Sequence, residues 1–164
     1  GENVLIITGA GGSGVLLSDA CIDNKLSLMT IPPDLDAAFR KFIPPFGAAG
    51  NPIDITGGEP PITYVNTVKL GLEDPRIHAL ILGYWHTIVT PPMVFARNMV
   101  EVKNAMKAKG IEKPIVASLA GDIEVEEASD YLYQNGIVAY PYTTEIPVAV
   151  LGAKYKWARG AGLL

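Results

Sequence analysis

The chain has 164 residues, of which 49% are hydrophobic and 18% are charged, and its formal net charge is -4. This size suits a single domain, and the composition excludes a disordered chain. The negative charge and the absence of a lysine- or arginine-rich run argue against nucleic acid as a partner. No apolar stretch approaches the roughly 18 residues that would span a membrane, so we expect no membrane partner. No secretory signal is present.

The single cysteine and the two chain ends suggest where the protein works and how it is built. Cys21 cannot form an internal disulfide, so a reducing cytoplasm is the expected location. It falls within a predicted helix, where a small buried apolar role is expected. The chain begins Gly1-Glu2-Asn3 without a starting Met and ends in a Gly/Ala tail. We therefore expect residues 1–164 to be one domain excised from a larger multidomain chain.

Apolar runs and helical patterns alternate along the whole chain. Gly and Pro mark most of the boundaries between them, including Gly110 and Asn135-Gly136 after two helices. Asp34 is predicted to cap the second helix. The predicted elements are strand 4–7, helix 13–24, strand 27–30, helix 35–42, helix 62–72, strand 79–84, helix 91–109, strand 114–118, helix 122–134, strand 137–140 and a last helix from residue 143 or 144 to about 157.

Five strands alternating with helices predict a three-layer α/β/α fold. Right-handed crossovers favour a doubly wound parallel sheet with the flavodoxin-like strand order 2-1-3-4-5. In such sheets ligands bind beyond the carboxyl ends of the strands, near the switch between strands 1 and 3. Residues 43–61, "IPPFGAAGNPIDITGGEPP", are predicted to be an irregular loop because their prolines prevent continuous helix or strand. Loops of this length in compact domains are usually functional.

The run "GAGGSG", Gly9 to Gly14, contains a G-x-G-x-x-G pattern between a strand and a helix. Glycines permit positive φ and close approach to a ligand, and a helix N-terminus attracts anions. A dinucleotide site would need an acidic residue after strand 2, and the nearest, Asp34, lies beyond two prolines. A P-loop would need Gly-Lys-Ser/Thr, but Val15 follows Gly14. A phosphate-binding loop of another kind is therefore favoured over a plain tight turn.

Two segments together resemble a known family. "GAGGSGVLLSDA" (9–20) followed by "GNPIDITGG" (50–58) resembles the fifth domain of NDP-forming acyl-CoA synthetases, a branch of the succinyl-CoA synthetase superfamily. In that family the segments read approximately as a Gly-Gly-Pro-Gly-Val turn, a helix with Thr-Asp, and an Asn-Pro-Val-Asp loop. Here Ser13 replaces the usual proline, and Ser18-Asp19 replace Thr-Asp. The resemblance covers the whole chain in element order.

The resemblance implies a ligase reaction in which an acid, CoA and NTP give acyl-CoA, NDP and phosphate. The reaction passes through an acyl phosphate and a phosphohistidine, which is received between two helix N-termini. The Ser-His-Thr-Gly-like motif that carries the histidine is missing here. The implied partners are therefore the CoA-binding, phosphohistidine and ATP-grasp domains of the same enzyme, with a carboxylic acid as substrate. ATP with Mg and CoA would bind outside this domain, the full-length form would be an oligomer, and the isolated chain would be inactive.

The resemblance also assigns roles to individual residues. The predicted phosphate-binding residues, which act through backbone N–H groups, are Gly11, Gly12, Ser13, Gly14, Val15, Gly57 and Gly58. Asn51 and Asp54 are predicted to support the loop. Because Gly14 stands where the loop becomes a helix, Gly14→Val is expected to block a phosphoryl group while leaving the fold intact.

Other chemistry-bearing residues give weaker signals. His86 follows a predicted strand on the ligand-binding edge and is a weak catalytic candidate, as a phosphate acceptor or an acid–base group. His78, at the opposite edge, is predicted to be structural. The acidic helix start around Asp122 shows no metal-ligand spacing, so no metal site is predicted. Two alternatives stay open: a flavodoxin-like module that binds FMN or a nucleotide phosphate, and a docking domain whose glycine loop has lost its ligand.

Overall fold

Six strands and six helices alternate along the chain in a computed structural model that describes residues 1–164. None of the helices combines the length and hydropathy needed to cross a bilayer. The elements are β1 (Asn3–Thr8), α1 (Gly11–Asp23), β2 (Ser27–Leu28), α2 (Pro33–Phe39), β3 (Ile53–Asp54), α3 (Pro61–Glu73), β4 (Ala79–Trp85), α4 (Pro92–Ala108), β5 (Ile115–Ala120), α5 (Glu124–Gln134), β6 (Val138–Pro141) and α6 (Glu145–Gly160).

The sheet is parallel throughout, in the order β2-β1-β4-β5-β6. These are the five predicted strands, so the flavodoxin-like order is confirmed. A sixth strand, β3, lies inside the segment predicted to be an irregular loop and also pairs with β1. Because β3 has only two residues, it carries no alternating pattern that the sequence could reveal.

Strands β2 and β3 both pair with the same edge of β1, at its two ends. β2 pairs with Asn3 and Val4 at the start of β1, and β3 pairs with Ile7 and Thr8 at its end. The segment 43–61 therefore returns to the sheet at the carboxyl end of β1, immediately before the glycine run. This pairing brings the two segments that carry the family resemblance side by side.

Helices cover both faces of the sheet. α1 and α6 pack on one face in a cluster of 12 buried apolar residues, and α2 to α5 pack on the other in a cluster of 30. Strand β1 shows the alternation behind this division, because Val4 and Ile6 belong to the smaller cluster and Leu5 and Ile7 to the larger. The three-layer α/β/α architecture is confirmed.

Several local predictions need correction. α1 begins at Gly11 rather than Ser13, so most of the glycine run is helix. The glycines of the run do not use the positive φ that glycine permits, because the glycines with positive φ are Gly110, Gly136 and Gly162. The predicted Asp34 cap is also wrong: the N-cap is Pro32, and Asp34 lies within the first turn. Prolines set this helix start, since their φ is preorganised for it.

Cys21 is fully buried on α1 in the smaller apolar cluster. Burial raises the pKa of its thiol to about 12, so almost no thiolate exists at neutral or mildly alkaline pH. We expect iodoacetamide at pH 8 to leave Cys21 unmodified in the native protein and to alkylate it after denaturation, as measured by intact mass. Rapid labelling of the native protein would contradict this buried placement.

Candidate functional site

An open cleft of about 1050 Å³ lies at the carboxyl edge of the sheet. It is lined by parts of the glycine run with the start of α1, by the end of β4, by the β5–α5 connection and by the segment between β6 and α6. The lining residues include Gly12, Ser13, His86 and Asp122. The cleft thus lies where ligands bind in doubly wound sheets.

The N-terminus of α1 presents three backbone N–H groups, of Gly11, Gly12 and Ser13, that have no hydrogen-bond partner in the protein. The next donor is already used, because the Gly14 N–H donates to the Ala10 carbonyl at 3.1 Å. No acidic residue lies in the first turn of α1, so the helix itself does not neutralise the positive end of its dipole. The free donors are therefore fewer than the predicted range from Gly11 to Val15.

Close packing beneath α1 explains the surrounding glycines. A Cβ on Gly83 of β4 would lie 2.7 Å from the Thr8 hydroxyl and 3.0 Å from Leu17 on α1. A Cβ on Gly9 would lie 2.5 Å from the hydroxyl of Tyr64, which donates to the Gly83 carbonyl. A side chain at Gly83 would therefore press on α1, and one at Gly9 would displace Tyr64 of α3.

Gly12 and Gly14 of the glycine run have different surroundings. A Cβ on Gly14 would lie 3.1 Å from Thr8 Cγ2 and 3.2 Å from Pro52 Cγ, so Gly14 faces the interior. Gly12 is exposed, and a Cβ there would meet nothing within 4 Å. The structure therefore changes the expected effect of Gly14→Val from blocking a ligand to crowding the core.

The hydroxyl of Thr8 holds the turn between β1 and α1. It accepts the Ala10 N–H and donates to the Ala10 carbonyl, both at 3.0 Å. Thr8 is itself fully buried, and Gly9 donates its N–H to the Gly83 carbonyl. The start of α1 is thus a rigid part of the sheet edge rather than a flexible loop.

In the gap between β2 and β3, the side chain of Asn51 makes the hydrogen bonds to β1 that a neighbouring strand would otherwise make. Its side-chain oxygen accepts the Ile6 N–H at 3.0 Å, and its amide donates to the carbonyls of Val4 and Met29 at 2.8 and 3.0 Å. The peptide bond to Pro52 is cis. Asn51 therefore ties the segment between α2 and α3 to the sheet.

Asp54 and the two glycines after it lie beside the glycine run. One Asp54 oxygen accepts the Thr56 N–H at 2.9 Å, and the other would lie 3.0 Å from a Cβ on Gly11. A Cβ on Gly57 would lie 3.3 Å from the Gly9 carbonyl, and Gly58 is exposed. Neither Gly57 nor Gly58 lines the cleft. The carboxylate lies beside Gly11, whereas Gly12 and Ser13 line the cleft.

Thr56, in the segment beside the glycine run, has a backbone conformation that the sequence does not reveal. Its φ is +65°, a left-handed conformation that is strained for a β-branched residue. Its hydroxyl is buried and has no hydrogen-bond partner. The preceding Asp54, which forms a side-chain turn, is the one local signal for this conformation.

His86 lies in the cleft between two carboxylates. Its Nδ1 is 3.1 Å from Asp122 Oδ1, and its Nε2 is 3.5 Å from Glu124 Oε2. His78 lies at the opposite edge, where Nδ1 accepts the Asn3 N–H and burial lowers the pKa of the ring. The sequence did not indicate the cluster at His86, since 36 residues separate His86 from Asp122.

Comparisons with known proteins identify the family. The profile of the Ligase-CoA domain matches residues 4–164. The chain is 36% identical over 159 residues to the alpha subunit of an ADP-forming acetate–CoA ligase I from Pyrococcus furiosus. That match covers 97% of this chain and 33% of the subunit, so the chain spans about a third of its relative.

Solved structures agree with this match. An apo acetyl-coenzyme A synthetase 1 of Candidatus Korarchaeum cryptofilum, described as dinucleotide forming, has a TM-score of 0.90 and 36% identity. The match covers 99% of this chain and 35% of that one. The same enzyme in complex with phosphate and ADP gives a TM-score of 0.89 and 35% identity, over 99% of this chain and 34% of that one. The chain belongs to the Ligase-CoA domain family, as its resemblance to the fifth domain of NDP-forming acyl-CoA synthetases implied.

Proposed function

We propose that this chain is the phosphoryl-holding domain of an ADP-forming acyl-CoA synthetase. The enzyme would convert a carboxylic acid, CoA and ATP into acyl-CoA, ADP and phosphate. The observation that carries this proposal is the set of three unpaired N–H groups at Gly11, Gly12 and Ser13, of which Gly12 and Ser13 line the cleft. A relative that matches over nearly the whole chain is named as an ADP-forming ligase, which supports the same reaction.

The chemistry suits this arrangement. Phosphoryl transfer depends mostly on positioning and on neutralising charge, and fixed backbone dipoles supply both without reorganising during the step. The positive end of α1 would stabilise the phosphoryl oxygens through the N–H groups of Gly12 and Ser13. A similar enzyme is known in complex with phosphate and ADP, which supports a phosphate-binding role for this family.

The remaining parts of the reaction would lie outside this chain. No Ser-His-Thr-Gly-like motif occurs in it, so the phosphohistidine would come from a companion domain. The CoA-binding and ATP-grasp domains, with Mg and ATP, would belong to other parts of the enzyme, since the chain spans 33% of the alpha subunit of one relative and 21% of an ADP-forming acetate–CoA ligase from Methanocaldococcus jannaschii. Beside the free donors, Val15 and Leu16 are 61% and 56% exposed. These apolar side chains are the surface that we expect the phosphohistidine domain to cover, in an oligomeric full-length enzyme.

Titration of the ¹⁵N-labelled chain with inorganic phosphate tests this assignment. We expect the amide resonances of Gly11, Gly12 and Ser13 to shift in a saturable way. Binding at a hundred times the dissociation constant would also stabilise the fold by about 2.7 kcal/mol. Gly110 and Gly136, whose loops lie away from the cleft, serve as internal controls. The proposal would be contradicted if saturating phosphate left the amide resonances at the start of α1 unshifted, or if the resonances of the control glycines shifted equally.

A further inference from the structure

We propose that His86, Glu124 and Asp122 form a binding site for a first-row divalent metal ion such as Zn²⁺. Nε2 of His86 and the carboxylate of Glu124 would be the two protein ligands, and Asp122 would position the imidazole ring. The three side chains come from the end of β4 and from the connection between β5 and α5. They offer ligand atoms that all lie within 4.8 Å of one another.

The backbone holds the histidine in place before any ion binds. The His86 N–H donates to the Ala120 carbonyl at 2.8 Å, which continues the ladder between β4 and β5. A Cβ on Gly121 would lie 2.6 Å from the His86 Cβ, so the histidine packs directly over a glycine. Its side chain is 22% exposed, whereas those of Asp122 and Glu124 are about two thirds exposed. The ring is thus fixed at the cleft wall, and the carboxylates reach it from solvent.

The two distances at the ring have different meanings. The 3.1 Å from Nδ1 to Asp122 is an ordinary hydrogen-bond length. The 3.5 Å from Nε2 to Glu124 is long for a hydrogen bond. It is close to the roughly 3.3–3.4 Å that separates nitrogen and oxygen ligands on one tetrahedral zinc ion with bonds of about 2.0–2.1 Å. An ion therefore fits between Nε2 and Glu124 with little movement of either group.

Asp122 supplies the orientation that such a ligand needs. A metal-bound histidine usually donates its other ring N–H to a carboxylate, which fixes the tautomer and raises the basicity of the ligating nitrogen. Asp122 Oδ1 faces Nδ1 and also accepts the Glu124 N–H at 3.2 Å. One carboxylate thus positions both the ring and the backbone that carries the second ligand.

The charges around the cluster favour a cation. Neither Asp122 nor Glu124 forms an ion pair with a lysine or arginine, and no basic residue of either kind lines the cleft. Glu126 and Glu127 add negative charge on the first turn of α5. Two protein ligands leave further coordination positions open toward the cleft, where water or a carboxylate or phosphoryl oxygen could complete the shell. Imidazole with carboxylate suits Zn²⁺ or Co²⁺ better than Ca²⁺.

Calorimetric titration of the whole chain with Zn²⁺ tests the site directly, without reference to the ligase reaction. We expect one saturable site that His86→Ala and Glu124→Gln each weaken by at least about tenfold, and that Asp122→Asn weakens by about 10- to 100-fold. Two controls away from the cluster, His78→Gln and Glu101→Gln on α4, should keep the wild-type affinity. Cys21 does not compete for the metal because it is fully buried.

A second readout separates ligation from a structural role of the histidine. Long-range ¹H–¹⁵N spectra of the imidazole rings should show Nδ1 protonated in the free protein and Nε2 shifted when Zn²⁺ binds. Absence of saturable binding, unchanged affinity in His86→Ala, or coordination through Nδ1 would overturn the proposal. Phosphate binding at the start of α1 uses different atoms, so failure of either test leaves the other standing.

Discussion

In an intact acyl-CoA synthetase that contains this domain, Gly12→Val is expected to slow acyl-CoA formation by about a hundredfold to a thousandfold. The melting temperature should change little, because Gly12 is exposed, has open space around the position of a Cβ and does not require positive φ. The branched side chain would stand beside the free N–H groups and keep a phosphoryl group away from them. Turnover measures the slower acyl-CoA formation, and a melting curve on the same preparation measures whether the fold is kept.

Two variants serve as controls for Gly12→Val. Gly160→Val also has open space at the Cβ position, but it lies at the far end of α6 and should leave turnover unchanged. Gly14→Val should instead lower stability by about 1–3 kcal/mol, since its side chain would press on Thr8 and Pro52. Normal turnover in a folded Gly12→Val enzyme would show that the start of α1 does not hold a phosphoryl group.

Asn51→Ala is expected to lower the free energy of unfolding by about 2–5 kcal/mol. The reason is that the N–H of Ile6 and the carbonyl of Met29 both lose their partner, whereas the Val4 carbonyl keeps the Met29 N–H, and each unpaired buried group costs about 1–3 kcal/mol. Since domains of this size are stable by only about 5–15 kcal/mol, the loss is a large fraction of the total. Urea unfolding at pH 7 measures it.

Asn98→Ala is the matched control for this substitution. Asn98 lies on α4, is also partly buried, and makes no side-chain hydrogen bond within the protein. Its loss should change stability by no more than about 0.5 kcal/mol. Equal destabilisation by the two variants would show that Asn51 does not act as a substitute strand between β2 and β3.

The fold was predictable because its signals are local and repeated. Runs such as Val4–Ile7 have no polar residue, which a strand covered on both faces permits and an exposed strand does not. Prolines and glycines marked the helix ends, and Gly110 and Gly136 adopt the left-handed conformation that is common after a helix. Alternation of strands and helices then limits the topology, because crossovers are right-handed.

Local signals failed where the outcome depended on packing between distant segments. The glycine run resembles a loop by composition, yet α1 begins at Gly11, and its glycines have negative φ. Gly9 and Gly14 are small because Tyr64, Thr8 and Pro52 approach them, and the sequence does not show those neighbours. The same limit applies to β3, whose two residues are a strand only because β1 lies beside them.

The sequence by itself determined the fold class, the order of the main strands and, through two paired motifs, the family. It determined these because buried strands, helix boundaries and glycine-rich turns depend on residues that are close together in the chain. The tertiary structure alone decided which N–H groups at the start of α1 remain unpaired, and that Asn51 bridges β1 and Met29. It also decided that His86 meets Asp122 and Glu124. These features depend on contacts between residues about 20 to 50 positions apart, which form only when the sheet brings β1, β4 and β5 together.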